Sequence, residues 1–160
     1  MKYHRLLPEQ FETLHQEFAT FLAANGIDKS KWDVIKQEED VLMNSYLDAF
    51  SDVVWEKILE QCDYLEFSDA RHFFLFHCQK EQMQTFVIKV AQACPDLNTE
   101  AGGQWLDRHW QTDAVEILEG QKVYSKERAA VLYDFLRKGA VITKGVRYKA
   151  FKSYFSNSAK

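Results

Sequence analysis

Residues 64–90 have the sequence YLEFSDARHFFLFHCQKEQMQTFVIKV, and this stretch decides the fold class. Its aromatic and aliphatic residues occur in short runs, which is typical of β-strands. The pattern predicts three strands, at residues 64–67, 72–78 and 83–90. The polar residues 79–82 between the last two are suited to a hairpin connection. Neighbouring Phe73 and Phe74 point to opposite sides of a strand, so both faces are apolar and we expect the sheet to be covered on both sides.

Helices are predicted before and after these strands. Three precede them: one from Pro8 to a stop at Asn25-Gly26, a short one capped by Asp28, and a longer one from residues 38–40 to about Cys62. After them we predict a helix from about Thr99 to Trp110, a strand within residues 113–124 that turns at Gly120, a helix capped by Ser125 through Lys138, and a last helix capped by Thr143 through about Phe155. The expected fold is α+β, with N-terminal helices packed on a small, mainly antiparallel sheet, followed by C-terminal helices, in one globular domain over residues 1–160.

Composition favours a soluble, cytoplasmic protein. The chain has 160 residues, of which 46% are hydrophobic and 28% are charged, as in ordinary globular proteins. No apolar run approaches the roughly 20 residues that span a bilayer, and the N-terminus lacks the apolar segment of a signal peptide, so we expect no membrane association. The three cysteines are odd in number and widely spaced, which fits free thiols in a reducing compartment. The sequence leaves the oligomeric state open.

Charge is distributed very unevenly along the chain. Residues 1–120 hold 10 Lys or Arg and 22 Asp or Glu, a net charge of -12. Residues 121–160 hold 10 Lys or Arg and only 2 Asp or Glu, a net charge of +8. Such an asymmetry indicates either an interaction surface or charge pairing within the fold. The basic segment coincides with the predicted C-terminal helices, at about residues 121–155.

The last predicted helix carries the candidate binding site. At helical spacing, Tyr148, Phe151 and Phe155 form an aromatic stripe, with Tyr154 at its edge. Basic residues flank this stripe on both sides. The candidate binding residues are Lys144, Arg147, Tyr148, Lys149, Phe151 and Lys152.

Three interpretations of this helix follow. The favoured one is internal: the rings pack in the core while the basic groups face the acidic part of the chain. The second is binding of an acidic protein partner. The third and weaker alternative is nucleic acid, because rings can stack on bases while lysines contact phosphates, although binders of nucleic acid are usually basic overall.

The sequence gives less support to metal binding, thiol catalysis or cofactor binding. His72, His77 and Cys78 are close in sequence, but the adjacent His77 and Cys78 face opposite sides of a strand, so we expect no metal site. Cys94 stands before Pro95 without an identifiable histidine partner. Phosphate-loop, dinucleotide and nucleophile-elbow motifs are absent from the sequence, and we therefore expect neither catalytic residues nor a cofactor.

Several short segments resemble a known family. They are Met1-Lys2-Tyr3, Arg5-Leu6, Phe18 to Ile27, Trp32, Phe50-Ser51-Asp52, Trp55-Glu56, Tyr64-Leu65-Glu66, Leu75-Phe76-His77-Cys78, Gln104-Trp105-Leu106, Gly139-Ala140 and Ile142-Thr143-Lys144-Gly145. Together they are similar to a family of uncharacterised proteins from Bacteroidetes-type bacteria, described only as a domain of unknown function. The resemblance covers nearly the whole chain, which implies one domain, and it brings no activity or catalytic residue. Leu7 departs from the polar residue that members often place before the first helix.

The sequence thus predicts a non-catalytic cytosolic interaction or regulatory protein. The prediction rests on the charge asymmetry and on the lack of a recognisable catalytic constellation. Binding of nucleic acid through the basic aromatic helix is one alternative. The other is an enzyme with an unrecognised site, most simply one that uses Cys94 or His77.

Overall fold

The computed structural model describes residues 2–158. The chain forms two compact units. The first unit ends at Glu60 and the second begins at Gln61. The prediction of one domain over residues 1–160 is not decided by this division. The α+β class is confirmed, with N-terminal helices, then strands, then C-terminal helices.

The first unit is helical. Its helices are α1 (Pro8–Thr13), α2 (His15–Ala24), α3 (Lys29–Glu38) and α4 (Asp40–Glu60). The cap predicted at Asp28 is confirmed, since its Oδ1 accepts a hydrogen bond from the backbone N–H of Lys31 at 2.8 Å. Gly26 has φ 77°, the left-handed conformation expected of a helix stop. Phe18 contacts Phe50 at a ring-centroid distance of 5.0 Å, which packs α2 on α4.

The single helix predicted from Pro8 to Asn25 is wrong, because it is broken at Leu14. That residue has φ -100° and ψ 24°, outside helical geometry, and separates α1 from α2. The backbone bonds from Leu14 N–H to Gln10 O and from Phe18 N–H to Leu14 O are both present at 2.9 Å, so the break is confined to this residue. Two side chains next to it also bond backbone carbonyls. Thr13 Oγ1 donates to Glu9 O at 3.0 Å, and His15 Nδ1 lies 3.0 Å from Glu12 O.

The second unit is built on a five-stranded antiparallel sheet. Its strands are β1 (Tyr64–Ser68), β2 (His72–Cys78), β3 (Gln82–Val90), β4 (Val115–Val123) and β5 (Val141–Thr143). Their order across the sheet is β4-β3-β2-β1-β5, and every neighbouring pair is antiparallel. The three strands and the hairpin predicted from residues 64–90 are confirmed.

Helices cover both faces of this sheet, as predicted. They are α5 (Glu100–His109), α6 (Arg128–Arg137) and α7 (Val146–Ser158). On one face, Leu75 and Phe86 are fully buried in a cluster that includes Leu106 of α5 and Phe151 of α7. On the other face, the ring of Phe76 lies 4.9 Å from that of Phe135 in α6.

Three boundary predictions in this unit are wrong. Gly120 lies within β4, which continues to Val123, because β3 is long enough to pair with it throughout. Helix α6 begins at Arg128 after Glu127, so Ser125 is not its cap. Thr143 ends β5, a strand that the sequence did not predict, and therefore does not cap α7. Only three residues long, β5 exists because it pairs with the edge of β1.

Candidate binding site along helix α7

The aromatic side of α7 is part of the core. Tyr148 is 4% exposed and Phe151 is 2% exposed. The ring of Tyr148 lies 5.1 Å from that of Phe86 on the sheet, and Phe151 stacks on Trp110 at 4.3 Å. These two residues of the predicted binding set are therefore not available to stack on a ligand, and their packing fixes which sides of α7 face outward.

Arg147 is held by two carboxylates. Its Nε and Nη2 donate to Oδ1 and Oδ2 of Asp107 at 2.8 and 3.1 Å, and its Nη1 donates to Oε2 of Glu66 at 3.1 Å. The guanidinium also lies 4.9 Å from the centre of the Phe73 ring. Burial raises the pKa of Glu66, and the Arg147 charge opposes that rise. Arg147 thus balances charge within the fold, as the internal interpretation predicts.

The cleft around Arg147, which we call the mixed cleft, contains charged groups of both signs. It has a volume of about 450 Å³ and contains Lys144 as a second cation beside the two carboxylates. Phe151 forms part of its wall. Because positive and negative groups are equally numerous there, this cleft favours neither sign of ligand.

The opposite side of α7 borders a different opening, which we call the α7 cleft. Its volume is about 390 Å³, and it is lined by Tyr64, His77, Gln84, Tyr148, Lys149, Lys152, Ser153 and Ser156. Four of these residues lie on one face of α7, at positions i, i+3, i+4 and i+7. They are Lys149, Lys152, Ser153 and Ser156. Two ammonium groups and two hydroxyls therefore face one opening.

The floor of the α7 cleft is a row across the sheet. Tyr64 pairs with His77, and His77 in turn pairs with Gln84. The rings of Tyr64 and His77 stack at 4.8 Å with an interplanar angle of 13°. Tyr148 closes the row from above by donating its hydroxyl to Gln84 Oε1 at 3.0 Å. Burial raises the pKa of Tyr148 to about 12, so this hydroxyl stays protonated at neutral pH.

His77 is the titratable group of this floor. Burial lowers its pKa below the ordinary 6.5, and the charges of Lys149 and Lys152 lower it further, while Asp63 acts in the opposite direction. The imidazole is consequently neutral at neutral pH. An anion that entered the cleft would favour the protonated ring.

The two lysines differ in how they are held. Lys149 is exposed, and its Nζ lies 5.1 Å from the centre of the Tyr64 ring. Lys152 Nζ forms an ion pair with Glu119 Oε1 at 3.0 Å, and both side chains are nearly half exposed. An exposed ion pair of this kind contributes little to stability, so Lys152 can exchange Glu119 for an anionic ligand at low cost.

The structure therefore separates the six predicted binding residues. Tyr148, Lys149 and Lys152 line the α7 cleft, whereas Lys144, Arg147 and Phe151 line the mixed cleft. Five residues of the α7 cleft were not predicted from the sequence, namely Tyr64, His77, Gln84, Ser153 and Ser156. The two serines could have been found from their helical spacing to Lys149, but the other three come together only through strand register.

The residues considered for metal and thiol chemistry do not converge. His77 faces α7, and Cys78 is buried on the other side near α6, as the strand alternation predicts. His72 Nδ1 lies 3.0 Å from Asp69 Oδ1. Within residues 2–158, no three His, Cys, Asp or Glu side chains are grouped so as to hold a metal ion. No helix in the same range is long and apolar enough to cross a membrane.

Comparison with known families gives a match over nearly the whole chain. The model of a Family of unknown function (DUF6495) matches residues 1–156. The chain belongs to this family. The DUF6495 match extends into both compact units and includes every residue of the α7 cleft. The predicted resemblance to a family of unknown function over nearly the whole chain is confirmed, and the bacterial origin stays a prediction. No curated protein and no solved structure matches the chain significantly, and a function must therefore be argued from the site itself.

Proposed function

We propose that this protein is a non-catalytic interaction protein that binds an anionic group of an acidic protein partner in the α7 cleft. The observation that carries the proposal is the shared outward face of α7. It presents Lys149, Lys152, Ser153 and Ser156 to one opening. Ammonium and hydroxyl groups all donate hydrogen bonds to a carboxylate or phosphate, and the two positive charges favour an anion.

An acidic protein fits this site better than a nucleic acid. Stacking of bases requires accessible rings, whereas Tyr148 and Phe151 are buried. The chain is also acidic overall, with a net charge of -4, and Glu119 stands beside Lys152. A long polyanion would meet this negative charge along its path. A short acidic side-chain cluster would contact only the two lysines and the serines.

The proposal places the protein in the cytoplasm. Cys62, Cys78 and Cys94 are free thiols, which fits a reducing compartment. An enzymatic role for His77 is the alternative that the α7 cleft could also accommodate. It is weaker, because the stacked Tyr64 ring covers one face of the imidazole and no carboxylate is hydrogen-bonded to it in the described part of the chain.

The test is binding of a fluorescein-labelled peptide of alternating Asp and Glu, measured by anisotropy at low and at moderate salt. We expect saturable binding by the wild type and at least about a tenfold loss for Lys149→Glu/Lys152→Glu, because attraction is replaced by repulsion. The matched control is Lys80→Glu/Lys122→Glu, which makes the same change of charge at two exposed lysines outside the cleft. This control should lose far less affinity.

Two results would overturn the proposal. One is no saturable binding of the peptide at low salt, or an equal loss in the control variant. The other comes from single- and double-stranded oligonucleotides measured in parallel. If an oligonucleotide binds more tightly than the peptide and Lys149→Glu/Lys152→Glu abolishes that binding, the nucleic-acid alternative replaces the acidic partner.

A further inference from the structure

Two buried cysteines meet at one end of the sheet. Cys62 lies just before β1 and is 1% exposed, while Cys78 is the last residue of β2 and is 2% exposed. The backbone N–H of Cys78 donates to Asp63 O at 2.7 Å, so Cys62 is one residue away from direct pairing with Cys78. Although they are sixteen positions apart in sequence, the two thiols are hydrogen-bonded to each other in the fold.

A single side chain holds the backbone at both cysteines. Arg128 Nη2 donates to Cys62 O at 2.5 Å and to Cys78 O at 3.0 Å, and its Nε donates to Gln79 O at 3.1 Å. Because one nitrogen contacts both cysteine carbonyls, the two main-chain segments are kept side by side. Tyr124 adds to this arrangement by donating its hydroxyl to Gln79 O at 2.7 Å.

The two thiols are also chemically distinct. A hydrogen bond with the Cys78 thiol lowers the pKa of Cys62, and the positive charge of Arg128 acts in the same direction. The same hydrogen bond, together with burial, raises the pKa of Cys78. This hydrogen bond favours the thiolate on Cys62 and the protonated thiol on Cys78, and exchange of the two roles would give the same disulfide.

We propose that Cys62 and Cys78 are a redox modification site, at which a peroxide-class oxidant produces a reversible intramolecular disulfide. The disulfide joins the segment before β1 to the end of β2. Cys94 is not part of this site. It packs against the core on the α7 side of the sheet, and its carbonyl accepts a hydrogen bond from Arg71 at 2.6 Å.

The reaction balances in two steps with hydrogen peroxide. The Cys62 thiolate attacks one peroxide oxygen, the O–O bond breaks, and the leaving hydroxide takes a proton to become water, which leaves a sulfenic acid on Cys62. The Cys78 sulfur then attacks the Cys62 sulfur, the S–O bond breaks, and the departing hydroxide takes the Cys78 proton to form a second water. Two electrons pass from the two sulfurs to one peroxide.

Burial determines which reagents reach this pair. At 1% and 2% exposure, the thiols do not meet bulky alkylating reagents in the folded protein. A small oxidant reaches them through local opening of the sheet end, so oxidation is slow compared with that of an exposed thiol. Once Cys62 is oxidised, the adjacent Cys78 captures the sulfenic acid before further oxygen is added.

The experiment uses the full chain carrying Cys94→Ser, treated with hydrogen peroxide, quenched, unfolded and alkylated. We expect a mass loss of two hydrogens, loss of both alkylatable thiols, and a non-reduced peptide map that links Cys62 to Cys78. A reductant should restore both thiols. The matched single-thiol controls, Cys62→Ser/Cys94→Ser and Cys78→Ser/Cys94→Ser, should form no internal link.

The inference is overturned if both thiols remain alkylatable, or if oxygen atoms add to Cys62 without a link to Cys78. If Cys94→Ser disturbs folding, the wild-type chain provides an independent test. In its non-reduced map, the link between Cys62 and Cys78 must predominate. Links of either residue to Cys94 in comparable amount would show random pairing and would also overturn the inference.

Discussion

Arg147 holds both carboxylate oxygens of Asp107, with Nε 2.8 Å from Oδ1 and Nη2 3.1 Å from Oδ2. Its remaining nitrogen contacts Glu66 on β1. One side chain of α7 is thereby joined to α5 and to the sheet. Bidentate geometry of this kind is specific to arginine and stronger than a simple ion pair.

We expect Arg147→Ala to destabilise the protein by about 2–3 kcal/mol, because it leaves the half-buried Glu66 carboxylate without its cation. Arg147→Lys should recover only part of this loss, since lysine cannot contact Asp107 in the bidentate manner. Urea unfolding measures both effects. Arg108→Ala is the control, because Arg108 is exposed and donates to Gln104 O of its own helix at 3.3 Å. Equal losses for the Arg147→Ala and Arg108→Ala variants would contradict this account.

Gly145 and Gly26 provide a matched pair for a second prediction. Both have φ 77°, but a Cβ at Gly145 would lie 2.5 Å from the Tyr64 ring, whereas a Cβ at Gly26 meets nothing within 4 Å. Gly26→Ala should cost about 1–2 kcal/mol from backbone strain alone. Gly145→Ala should cost about 3 kcal/mol or more, because the clash with Tyr64 is added to the same strain.

The measurement for this pair is again urea unfolding, supplemented by peptide binding. Since Tyr64 forms part of the floor of the α7 cleft, Gly145→Ala should also weaken binding of the acidic peptide. Gly26→Ala should leave binding unchanged. Similar stability losses for the two substitutions would show that Tyr64 moves aside freely.

Arg128 carries a third prediction. Its guanidinium donates to three main-chain carbonyls, those of Cys62, Cys78 and Gln79. Arg128→Ala should lower the free energy of unfolding by about 2 kcal/mol, because these partly buried acceptors lose a charged donor. Hydrogen exchange should show faster exchange at the Cys78 amide in particular. Arg137→Ala on the same helix is the control and should cost about 0.5 kcal/mol, since Arg137 is exposed and lies over the Tyr133 ring at 5.9 Å from its centre.

Much of the fold was predictable from local pattern. The strands of residues 64–90 follow from short aromatic and aliphatic runs, and the cap at Asp28 follows from residue type. The strand β5 was not predictable, because it depends on pairing with a distant edge. Nor was the break at Leu14, because Phe11, Leu14 and Phe18 keep helical spacing across it. Gly102 of α5 also has a role that local pattern does not show. In the fold it admits the Asp96 carbonyl, which a Cβ would meet at 1.8 Å.

The candidate site was predictable only in part, for the same reason. Helical spacing identified Lys149 and Lys152 as neighbours and grouped the aromatic residues on another side of α7. It could not show that Arg147 would meet Asp107, which is 40 positions away in sequence. Nor could it place His77 beneath the lysines, because that position depends on strand register and on the packing of α7 over the sheet.

The pH dependence of His77 supplies a further prediction. Because its pKa is lowered in the folded protein, the unfolded chain binds more protons at and below about pH 6.5, and stability falls as the pH decreases through that value. His77→Gln should reduce this loss, as measured by urea unfolding at neutral and at acidic pH. A Lys149→Gln/Lys152→Gln variant should raise the pKa of His77 in an NMR titration, since both lysines lower it.

Binding and protonation at His77 must then be coupled. An anion in the α7 cleft favours the imidazolium, so the acidic peptide should raise the pKa of His77 and bind more tightly as the pH falls through the lowered value. In His77→Gln, the affinity should vary much less over the same pH range. If the peptide binds without shifting the His77 resonances, it binds outside the α7 cleft. This result would mean that the exposed lysines attract the peptide but that the peptide does not occupy the cleft.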